Sequence, residues 1–129
     1  MTNRTTRAPA AAEAPLPDPP DIAAMRQTAQ ILLDPDALAL PPSAGELATL
    51  TTTMRGHLEV LIPGVERAAR RLDEDSIPRY CALACVGEAR GKLRAEPSPG
   101  LDGALRHAQR LARVLNALCD HYEKTGGRS

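Results

Sequence analysis

Phenylalanine and tryptophan are absent from this 129-residue chain, and Tyr80 and Tyr122 are its only aromatic residues. Any core must be built from Leu, Ile, Val, Met and Ala, which argues against a strand-rich fold, because sheets draw on aromatic and β-branched side chains. The same scarcity removes the stacking platforms on which single-stranded nucleic acid is held. No apolar run has the length of a membrane span or a signal-peptide core, so the sequence predicts a cytoplasmic protein with no membrane partner. Neither GxGxxG nor GxxxxGK[ST] occurs, and nucleotide binding therefore has no support. The three cysteines are an odd number, which argues against a disulfide framework in a reducing compartment. Net charge is also zero, so the whole-molecule field neither draws the chain to polyanions nor repels it from them.

Leucine and alanine are abundant, and both favour helix. Residues 1–20, rich in Pro, Ala and Thr, hold almost no large apolar side chains, and are expected to be a disordered tail. A first helix is expected over residues 21–33, capped by Asp21, with Ile22, Met25, Ala29, Leu32 and Leu33 on one face. Asp34-Pro35 stops it. A proline-rich connector follows, from which Leu38 and Leu40 could dock on a core. Ser43 and Glu46 form S-x-x-E, a capping box ahead of a second helix at 44–72. Its apolar residues alternate in steps of three and four from Leu47 through Leu50, Met54, Leu58 and Val65 to Leu72, and Pro63 falls on the opposite side.

Ser76 and Pro78 open a third helix at 77–95. Between Tyr80 and Ala89 its only charge is Glu88, which predicts a central helix, approached closely by its neighbours over Ala82, Ala84, Gly87 and Ala89. EPSPG breaks it, and a fourth helix at 101–125 carries Leu101, Leu105, Ala108, Leu111, Leu115, Leu118 and Tyr122. Gly126 and Gly127 end it and leave residues 126–129 flexible. The expected fold is all-α: an antiparallel three- to four-helix bundle, a three-helix core with the first helix laid across it.

Candidates for chemistry are few. Cys81 and Cys85 lie one turn apart, on a side shared with Val86 and Ala89, and Cys119 lies in the stripe of the fourth helix. All three are expected to face the interior as small hydrophobes. A structural zinc site would need a fourth ligand, which only His57 is placed to supply, and the spacing contains no CxxC pair. A nucleophilic thiol would need a helix N-terminus or a cation, and neither Cys81 nor Cys85 sits fully at one. Glu88, alone in the apolar half of its helix, is expected at a helix interface paired with an arginine or with His57. His57 and Glu59 are two apart and so on different faces, which excludes an HExxH arrangement. Arg106, Arg110 and Arg113 form a basic face at ordinary helical spacing, and nothing here has the short recognition helix of a DNA-binding regulator.

The stretches RGHLEVLIPGVERAARRL, SIPRYCALACVGEARGKL and ALRHAQRLARVLNALCDHYE resemble a family of small actinobacterial proteins of unknown function, loosely labelled natural product biosynthesis proteins, over about residues 22–124. The resemblance implies a bacterial accessory protein and brings no catalytic motif. The expected function is a non-enzymatic helical module that binds a protein partner or another copy of itself, with no cofactor and no metal. Off-stripe apolar residues Ile31, Val60 and Val114 are the expected contacts. The alternative is a small biosynthetic enzyme or ligand-binding protein with a site between helices near Glu88, His57, Cys81, Cys85 and Cys119.

Overall fold

The computed structural model describes residues 19–36 and 39–126. Four helices account for most of them: α1 (Ile22–Leu33), α2 (Ala44–Arg70), α3 (Ile77–Arg94) and α4 (Gly100–Lys124). The expected tail falls, except for Pro19 and Pro20, outside the described residues, as do Leu38 and residues 127–129.

Each helix begins where a side chain or a proline can deal with its free N–H groups. The Asp21 carboxylate accepts from the Ala24 N–H at 3.1 Å. Ser43 and Glu46 close a reciprocal capping box, Oγ accepting from the Glu46 N–H and Oε1 from the Ser43 N–H. Ser76 caps α3, with Pro78 in the first turn. α4 begins differently: Pro99 stands at the cap position with no side-chain bond, and Gly100 turns the chain at φ +86°. Pro63 neither splits nor ends α2, which runs unbroken through it, and its ring faces solvent.

α2 and α4 lie side by side and point the same way. At one end Ala44 and Leu47 share a cleft with Leu101 and Ala104. At the other, the Gly64 backbone packs under the Tyr122 ring, where an added Cβ would sit 3.3 Å from Cε1. α1 and α3 run against this pair and flank it from opposite sides without touching each other. The core joins Leu32 of α1, Met54, Leu58, Leu61 and Val65 of α2, Val86 of α3 and Leu111, Leu115 and Leu118 of α4.

The centre of the bundle is the pair α2 and α4, each of which meets all three other helices, and not α3 as the sequence suggested. α3 buries only Ala82, Cys85, Val86 and Ala89, while Ala84 and Gly87 face water and nothing lies within 4 Å of a Cβ added at Gly87. Small apolar side chains cost little in water because they expose little area, so a charge-poor surface is not by itself a buried one. A wide arc of large residues is the better signal, and α4 carries it.

Ion pairs fasten the outer helices. Arg26 of α1 donates to Asp120 at 2.9 Å and Glu123 at 2.7 Å on α4, while Glu66 of α2 receives Arg90 of α3 at 2.9 Å and Arg70 of its own helix at 3.1 Å. These two arginines, Arg90 first, hold the Glu66 carboxyl below the usual carboxylate range. Arg55 of α2 donates to the Leu93 carbonyl at 2.6 Å and ties down the last turn of α3.

Candidate functional site

The groups singled out in the sequence are dispersed by the fold. Cys85 and Cys119 enter the core, but Cys81 is exposed, contrary to expectation: one turn from the start of α3, it lies beyond the arc that faces α2 and α4. Burial pushes the Cys85 thiol up to about 11, with Glu88 and Asp120 adding to the shift. Burial likewise pushes Cys119 up to about 11, against the opposing pull of Arg26. Both thiols are therefore protonated at neutral pH and poor nucleophiles.

Glu88 is exposed rather than held at an interface, and forms no ion pair among the described residues. It sits at a shallow cleft of about 260 Å³ between α3 and α4, beside Lys92, Arg110 and Arg113. His57 lies half-buried on the seam of α1 and α2, its Nε2 3.5 Å from the Thr28 hydroxyl. The two candidates thus occupy different faces. Val114, expected outside, is 3% exposed, and Leu40, which the sequence allowed to dock on the core, is 86% exposed. Among the described residues no three His, Cys, Asp or Glu side chains gather at metal-binding range.

Concavity concentrates instead around the first half of α2. From Leu47 to Met54 this helix has no charged residue, and Gly45, Ala48, Thr49, Thr52 and Thr53 present a small, uncharged ridge to solvent. On one side of the ridge runs a groove of about 610 Å³ walled by Ile31, Leu40, Pro42 and Leu50, with Glu46 its single charged wall. Between Gln27 and Met54 the charged residues are Asp34, Asp36 and Glu46, with no base.

On the other side lies a cleft of about 460 Å³ under Leu101, walled by Ala44, Leu47, Ala48 and Ala104, with Thr51, Thr52 and His107. His107 is the one buried polar residue among those described, at 6% exposure. Burial, reinforced by Arg55 and Arg110, lowers its pKa and leaves the ring neutral at pH 7. In the sequence His107 falls at the edge of the α4 stripe. The signal that it belongs inside was its spacing to Ala104, Ala108 and Leu111, i−3, i+1 and i+4 on the same arc.

A family model described as a family of unknown function (DUF6415) matches residues 23–127. No curated protein and no solved structure matches the chain.

Proposed function

The chain belongs to the DUF6415 family, whose function is unknown, and we propose from its surfaces that it is a non-enzymatic accessory module that binds a partner protein through the groove beside α2. One observation carries this reading: Ile31 at 49% and Leu40 at 86% exposure stand together on a charge-poor concavity. Leaving such side chains in water forgoes roughly 1.5–3 kcal/mol each relative to burial, and apolar patches rimmed by polar groups mark interaction sites. Asp34, Asp36 and Glu46, unrelieved by any base nearby in sequence, favour a basic amphipathic helix as occupant, its apolar face on Leu40 and Ile31. The actinobacterial, cytoplasmic setting and the link to natural product biosynthesis come with the resemblance described above and form part of the proposal.

The enzyme alternative draws no support from the described residues, since Glu88 and His57 lie apart and the buried thiols are protonated. A photo-crosslinking amino acid at position 49 or 40, used in the native host, tests the docking reading. Cross-links to a basic helical segment of another protein are the expected result. Cross-links to a second copy of this chain, or cross-links obtained only from a control position such as 113 on the basic face, would overturn it.

A further inference from the structure

The cleft under Leu101 differs in chemistry from the groove. Its walls are small and apolar, its volume suits a small organic molecule, and at its inner side stands a single polar group, the His107 imidazole. No side-chain hydrogen bond engages that ring among the described residues. The ring is 6% exposed and itself lines the cleft. An imidazole so little exposed and without a side-chain partner is poorly satisfied, and leucine would fit the same arc of α4 with no polar group to satisfy. Such a group asks for an explanation, and a ligand head in the cleft supplies one.

The charges around the ring select the head. Arg55 of α2 and Arg110 of α4 act on it through their charge, and Glu96 of the connector before α4 opposes them, although none of the three lines the cleft. The balance is positive, so an anion is favoured over a cation. A metal ion is not, because His107 stands without other ligating side chains in the cleft. We propose that this cleft binds a small organic acid with an apolar body, the body lying between the start of α4 and the ridge of α2 and the acidic head meeting the His107 imidazole. A neutral ring offers one donor and one acceptor, enough to hold a carboxylate or an acidic hydroxyl. The anion also relieves the repulsion that Arg55 and Arg110 exert on a protonated ring, so binding and protonation of His107 favour each other.

The experiment uses the full chain, with 2-naphthoic acid as the probe and 2-naphthalenemethanol as its uncharged counterpart, followed by NMR of the three histidine rings. The expected result is a saturable shift of His107, with His57 and His121 unmoved, and about tenfold tighter binding of the acid than of the alcohol. His107→Leu should erase that preference, and Leu101→Glu, on the half-exposed rim, should weaken the acid about tenfold while leaving the fold intact. Leu40→Asp should change neither, which separates this site from the groove beside it. Equal affinity for acid and alcohol, weakened binding in Leu40→Asp, or no shift of His107 at millimolar probe would each overturn the proposal.

Discussion

Cys81 and Cys85 differ by one turn of helix, and that turn decides their chemistry. Cys81 stands in water, whereas Cys85 and Cys119 are closed in by leucine and valine neighbours. Iodoacetamide on the native protein should therefore label Cys81 within minutes and leave the other two until the chain unfolds, as peptide mass spectrometry would read. The two buried thiols also set a pH limit. Folding raises both to about 11, above the roughly 8.5 of a free thiol, so the unfolded chain releases these protons first as pH rises. Their contribution is complete below about pH 8.5 and is lost as pH climbs through 11. Urea midpoints should fall between pH 8 and 10.5, and fall less steeply in a Cys85→Ala, Cys119→Ala double variant, whose overall stability is lower. Interior placement of Cys85 and Cys119 was legible from helical period alone. Cys81 was not, because the width of a buried arc depends on how many helices press on it.

Helix starts were legible because a cap is a local hydrogen bond, written within four residues: Asp21, Ser43 with Glu46, and Ser76 all do what their positions suggest. The start of α4 was less so, since it depends on a close approach that sequence does not show. The Ser98 backbone folds over Gly103, and a Cβ there would collide with the Ser98 carbonyl. Gly103→Ala should thus cost about 1–3 kcal/mol through displacement of backbone. Gly87→Ala, on the open side of α3, should instead gain about 0.5–1 kcal/mol by restricting the unfolded chain. Opposite shifts of the urea midpoint would verify both assignments. The grooves beside α2 were also out of reach of periodicity, because each is walled by segments distant in sequence: Ile31 and Leu40 on one side, Leu101 and His107 on the other.

At the scale of the molecule, α4, like α2, touches every other helix. Leu115, wholly buried at its centre, should cost about 2–5 kcal/mol when truncated to Ala, and hydrogen exchange should show α1, α2 and α3 weakening together rather than one at a time. The all-α class and the number of helices followed from composition and stripes. Which helix is central did not, since a stripe reports that a face is buried but not by how many neighbours. The shared direction of α2 and α4, with α1 running against them, has one more outcome. Pro20 meets Gly64 beside Tyr122, so the described chain enters and leaves at one pole of the bundle, while Leu40, Leu101 and His107 gather at the opposite pole. A surface tether or fluorophore attached at residue 19 or residue 126 will therefore present both concavities outward, with the whole length of α2, about 40 Å, as a built-in spacer.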